Sequence, residues 1–149
     1  MATITEIALM LGAAVLGIAA LWHFYWAAGG TKGLAIAVPE LPARKGGGPA
    51  FMPSAIATIV VALAIAAIAT LYAAMATRAL DGTGYSLWAA FATGALGLVF
   101  IARAIGDFNH VGFFKRNTGT PFAMADSRYY SPLCLFLGAA GLSAAARYL

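Results

Sequence analysis

Arg103 and Asp107 stand four residues apart near the end of a long apolar run, and His110 follows three residues later. On a helix those steps place all three side chains on one face. Charge near the centre of a membrane helix costs ~3 kcal/mol per residue, and less near its ends, so it has either a partner or a task. Two readings follow. Arg103 and Asp107 are a self-neutralising pair that holds one end of the protein together, or they hold an anionic or polar head group. Lys115-Arg116 reads first as a topology determinant and second as a phosphate contact. Asp126 and Arg128 read as a local cap or pair at the start of the last helix.

His23 closes the first apolar run inside an aromatic cluster, Trp22-His-Phe-Tyr25-Trp26. It is expected at the same depth as His110, and two histidines on different helices can ligate haem or a metal, with Glu40 or Asp107 nearby. The competing reading makes both of them polar caps in an interfacial belt. No HxxH, HExxH or ExxH spacing supports a metal, so none is expected, and no resident cofactor is expected either. Nothing resembles a nucleophile elbow, a catalytic triad, a phosphate loop or a nucleotide fingerprint.

The elements that must position these residues are membrane helices. Charged residues make up 9% of the 149-residue chain and hydrophobic ones 62%, too few charges to cover a soluble bundle. Four apolar blocks, at 4–28, 53–77, 85–108 and 131–148, are each close to the ~20 residues a span needs. Backbone in hydrocarbon must bond internally, so the blocks are expected to be helices. The fold class is therefore an all-α integral membrane protein, one four-helix bundle over residues 1–149. The first block carries Glu6 and no basic flank, and reads as a retained helix rather than a secretory signal. Cys134 is the single cysteine, so no intrachain disulfide is available.

The net charge of +4 is unevenly spread. Lys32, Arg44 and Lys45 fall in loop 29–52, and Lys115, Arg116 and Arg128 in loop 109–130; Arg78 and Arg147 lie on the other side. The positive-inside rule puts both basic loops in the cytoplasm and both termini outside. A basic face at the membrane border suits anionic lipids and makes nucleic acid a poor partner. Loop 29–52, with its prolines and its Gly46-Gly47-Gly48 run, argues against a stable helix, though Leu34 to Pro39 is apolar enough to dip toward the bilayer. Loop 109–130 mixes aromatic and basic residues as an interfacial segment does. Ser131-Pro132 reads as an N-cap followed by a first-turn proline. Small residues pair at four-residue spacing at Ala13/Gly17, Ala90/Gly94 and Gly141/Ala145, which favours close packing within one bundle over a dimer seam.

The run from Arg103 through Gly106-Asp-Phe to Val111-Gly-Phe-Phe-Lys115, with Ser131-Pro-Leu-Cys134, His23-Phe-Tyr-Trp26, Gly29-Gly30 and Ala37-Val-Pro39, resembles the small bacterial four-helix membrane proteins called domain of unknown function 3995. The resemblance covers nearly the whole chain. It implies four spans and a shared polar face built from His23, Trp26, Arg103, Asp107 and Lys115, and it brings no activity. Asn109-His110 departs from the family pattern of a basic residue and a tyrosine, which weakens the two-histidine haem reading.

These observations lead to an accessory protein of the bacterial inner membrane. Its charged cytoplasmic end binds a lipid-like or amphiphilic ligand or docks a larger membrane complex. Arg103 and Lys115 are expected to hold an anionic group, Asp107 to orient Arg103, and His23 with Trp26 to line the site. Tyr25, Glu40, His110, Arg116, Asp126 and Arg128 are secondary candidates. Two alternatives remain: a membrane enzyme acting on a lipid or isoprenoid, with His23 and Asp107 in acid–base roles, and a small ion- or proton-coupled transporter using Asp107.

Overall fold

The computed structural model describes residues 2–40, 48–49 and 51–148; Arg44 and Lys45 of the first basic loop lie outside the described residues. The described chain is helical, its one β-type feature being a bridge between Glu40 and Pro49. Helix α1 runs Ile4–Ala27 and starts at a capping box, Thr3 Oγ1 accepting from the Glu6 N–H while Glu6 accepts from the Thr3 N–H. A single helical turn, α2 (Leu34–Ala37), follows. Helix α3 (Ala55–Ala76) is N-capped by Ser54, and α4 spans Ser86–Ile105.

The last third departs from the Ser131-Pro132 expectation. The chain turns helical eleven residues earlier, at a Thr120 N-cap with Pro121 in the first turn. Helix α5 (Pro121–Ala125) passes through a π-helical turn (Asp126–Tyr130) into α6 (Ser131–Ala145) without a break. The cap-plus-proline signal is real but belongs to Thr120-Pro121. Ser131 is already in helical backbone, and its buried hydroxyl donates to Asp126.

Helices α1, α3 and α4 are long and apolar enough to cross a membrane. Their outward faces carry Ile56, Val60, Leu63, Leu98 and Val99, each more than half exposed. Such a surface is stable only against lipid, because no polar side chains screen it from water. Packing is not in chain order. Helix α1 pairs mainly with α3, α4 mainly with α6, and the two pairs join along α1 and α6.

Small residues make these approaches possible. A Cβ on Gly138 would meet Ile101 at 2.7 Å and the Gly97 carbonyl at 2.8 Å, so α4 and α6 touch through backbone. One on Gly141 would sit 2.6 Å from the Tyr72 hydroxyl, which donates to the Leu137 carbonyl from α3. Gly94 meets Ala145, but Gly17 faces open space, so only part of the small-residue pattern is packing surface. Leu9, Leu16, Tyr72, Met75, Leu137 and Ala144 fill the core between them.

The ends of the bundle differ. At one, Glu6 pairs with Arg147 at 3.3 Å, Asp81 pairs with Arg78, and Asp81 accepts from Tyr148. These contacts clasp both chain ends to the α3–α4 hairpin. The other end gathers the α1 terminus, α2, the loop after α4, and α5, which packs on α2.

Candidate functional site

Arg103 does not pair with Asp107. Helix α4 stops at Ile105, because Gly106 takes φ +98°, so Asp107 and His110 lie beyond the helix and the four-residue geometry never forms. An added Cβ on Gly106 would run into the Val111 carbonyl, and one on Gly112 (φ +88°) into the Ile105 carbonyl. Only glycine allows this crossing. Asp107 organises the turn between them. Its Oδ1 accepts the backbone N–H groups of Asn109, His110 and Val111 at 2.9, 2.7 and 3.0 Å. Partial burial pushes its pKa up, but those three donors outweigh it and hold the carboxyl well below the usual range. His110 Nδ1 lies 3.4 Å from the same carboxylate. The turn folds back on the helix end, where the Phe113 N–H bonds the Ala104 carbonyl at 2.8 Å. Much of the Gly-Asp-Phe…Val-Gly-Phe-Phe-Lys block is thus a turn motif that ends α4 and brings Lys115 inward.

The charge centre is Asp126, placed at the first residue of the π turn and fully buried. Its Oδ1 accepts Arg103 Nη2 at 2.7 Å. Its Oδ2 accepts Lys115 Nζ at 2.9 Å, the Gly112 N–H at 2.8 Å and the Ser131 hydroxyl at 3.2 Å. Lys115 Nζ also donates to the Gly112 carbonyl at 2.8 Å and to Ser127 Oγ at 2.6 Å, which uses all three of its protons. Its side chain is 1% exposed. Lys115 therefore serves the cluster rather than an external group. Asp126 does more than cap locally, and Arg128 lies apart from it, exposed over the Tyr129 ring at 5.4 Å.

Arg103 is different. Only its Nη2 is engaged, and Nη1 is buried without a hydrogen-bond partner among the described residues. The same residue lines a cavity of 650 Å³ walled by Trp22, Trp26, Ile36, Phe100 and Phe122, with His23, Tyr130 and Cys134. That volume lies within the range of small-molecule sites, and the lining is apolar with a few polar groups, as such sites usually are. A second cavity of 530 Å³ lies against Leu34, Val38, Phe51 and Thr58, and shares His23 and Trp26 with the first. His23 Nδ1 lies 2.7 Å from the Ala19 carbonyl, which can only accept. Nδ1 thus carries a proton. Trp26 is fixed by Nε1 donating to the Lys32 carbonyl at 2.8 Å, and its ring packs edge-on to His23.

Of the five leading candidates, His23, Trp26 and Arg103 share the cavity; Lys115 stands behind Arg103 through Asp126, and Asp107 organises the adjoining turn. Neither of the two cavities that His23 lines includes Asp107. Tyr25 contacts the Lys32 N–H through its hydroxyl at 3.4 Å, Glu40 sits at the bridge to Pro49, and Arg116 is exposed. Among the described residues, no three His, Cys, Asp or Glu side chains gather as a metal site. Asp126, Ser127 and Ser131 matter more than the sequence reading suggests. The available signal was a carboxylate with two small hydroxyl residues beside an apolar helix.

An all-helical chain with membrane-length helices, carrying an aromatic cavity beside a buried charge cluster, defines a small integral membrane protein with a polar end. The chain belongs to the protein family of unknown function DUF3995, whose model matches residues 8–141. No curated protein and no solved structure matches it.

Proposed function

We propose that this protein is an amphiphile-binding protein of the bacterial inner membrane, holding a lipid-like molecule in the cavity between α1, α4 and the α5–α6 junction. The observation that carries the reading is Arg103, a guanidinium with an unpartnered buried nitrogen in a residue that borders an otherwise apolar cavity. A buried donor without a partner costs roughly 1–3 kcal/mol, more for a charged group, and a ligand oxygen removes that cost. Trp22, Trp26, Phe100 and Phe122 offer the surface an acyl or isoprenoid chain needs.

In the same reading, the run from Pro121 to Ala145 supplies the fourth span. The end carrying Lys32, Lys115, Arg116 and Arg128 faces the cytoplasm, and both termini face outward. Retention of the ligand is tested by native mass spectrometry of gently solubilised wild type beside Arg103→Ala. The expected result is a bound species of lipid-like mass in the wild type that is lost or depleted in the variant. A bare wild-type protein, with lipid restored in excess, overturns the reading.

A further inference from the structure

The cluster sets two cationic side chains, half-buried Arg103 and buried Lys115, against one buried carboxylate, Asp126. The count leaves one unit of positive charge without a counter-charge. Asp126 cannot supply more, since both its oxygens are occupied. Lys115 cannot accept a further partner, since its three protons are spent on Gly112, Asp126 and Ser127. The nearby Asp107 is committed to the backbone N–H groups of its own turn. The surplus charge and the unspent donor therefore coincide on one group among the described residues, the Arg103 guanidinium. A neutral ligand oxygen would satisfy the donor but leave the charge in a low-dielectric wall, where it is expensive.

We infer that the cavity selects a monoanionic amphiphile: one oxyanion head, carboxylate or phosphate diester, on Arg103, and a single apolar tail among the aromatic walls. This deepens the proposed function and rests on it. An oxyanion that meets the Arg103 guanidinium from the cavity shares it with Asp126, making a carboxylate–arginine–oxyanion row backed by Lys115. Within the row, two positive charges meet two negative ones. Zwitterionic and neutral lipids fail by the same count, the first because its own cation would face Arg103, the second because the surplus stays.

The cavity carries its own reporters. Trp22 and Trp26 line it, and the third tryptophan, Trp88, lies exposed on α4 outside it. The full chain with Trp88→Phe, in neutral detergent micelles, is titrated with 9,10-dibromostearic acid at a pH where micelle-bound fatty acid is ionised. The methyl ester of the same acid is titrated in parallel, and bromine quenching is read on the remaining tryptophans. The inference expects saturable quenching by the acid, reversed by unbrominated stearic acid, and at least about tenfold weaker quenching by the ester. In Arg103→Gln acid and ester should become equal, and Arg103→Lys, which keeps a cation for Asp126, should lose most of the preference if the glutamine variant does not fold. A 9,10-dibromostearyl methyl phosphate, whose diester group carries one charge, separates the sources: tighter binding than the acid assigns a phosphate diester, weaker binding a carboxylate. Equal saturable quenching by acid and ester in the parent protein overturns the charge inference while leaving an amphiphile site intact. No saturable quenching by any of the three overturns the site as well.

Discussion

Asp126→Asn is the perturbation that most directly tests the charge cluster. Asn keeps the size of the side chain but removes the charge that two cations and a backbone N–H converge on. Lys115, 1% exposed, is then left buried and uncompensated. Removing one partner of a buried ion pair costs about 3–5 kcal/mol, because the other charge stays buried. That is a large share of the roughly 5–15 kcal/mol available to a folded domain. Asp107→Asn is the matched comparison. Its side chain is 47% exposed, and an amide oxygen can still accept the three backbone bonds, so the loss should be about 1 kcal/mol or less. The assay is reversible unfolding in mixed micelles by increasing sodium dodecyl sulfate, followed by far-ultraviolet circular dichroism. Lys115→Met added to Asp126→Asn should recover part of the loss, since it withdraws the orphaned cation. If Asp126→Asn unfolds within about 1 kcal/mol of wild type, or Asp107→Asn costs as much, the assignment of Asp126 as the centre is refuted.

Further expectations concern acid, packing and topology. The carboxyl of Asp107, in the loop after α4, lies below its ordinary 3.8 in the folded protein, so it contributes stability that is complete above that value. It is lost as pH falls through the lower folded value. Melting temperature should therefore stay level from about pH 7 to about pH 5 and drop below about pH 4, with a shallower drop in Asp107→Asn. A drop already under way near pH 6 would contradict it. Gly138→Ala forces a methyl against the Gly97 carbonyl and Ile101, and should lower stability by about 1–3 kcal/mol in the same micelle assay. Gly17→Ala meets nothing within 4 Å and should be neutral or slightly stabilising; equal effects would disprove the α4–α6 backbone contact. Alkaline phosphatase fused after Leu149 should be active in bacterial cells and a fluorescent protein there dark, with the pattern reversed for fusions in the loop after α4. The opposite pattern would place the basic end outside.

The membrane character of the chain and its three membrane-length helices were legible from residue types alone. Apolar blocks at 4–28, 53–77 and 85–108 correspond to α1, α3 and α4, because transfer to lipid is a sum over neighbouring residues and needs no tertiary partner. Helix starts are local too, and Thr3-Ile-Thr-Glu6 and Thr120-Pro121 both carry their signal in the sequence. His23, Trp26 and Arg103 were recognisable because polar and aromatic side chains at a membrane border are conspicuous against alanine and valine.

Partner choice was not legible. Arg103 and Asp107 are neighbours on an ideal helix, but Gly106 ends that helix, and a turn pinned by Asp107 reverses the chain. The reversal brings Lys115 and the backbone of Gly112 to a carboxylate 23 residues beyond Arg103. A hydrogen bond depends on distances of a few tenths of an ångström, and such distances follow from how α4, α5 and α6 pack. The sequence by itself determined the membrane character of the chain, its three membrane-length helices and which side chains crowd its polar end. Only the tertiary structure decided that Asp126 holds the cations and that Arg103 keeps a nitrogen in reserve, because burial and pairing exist only once separate helices have met.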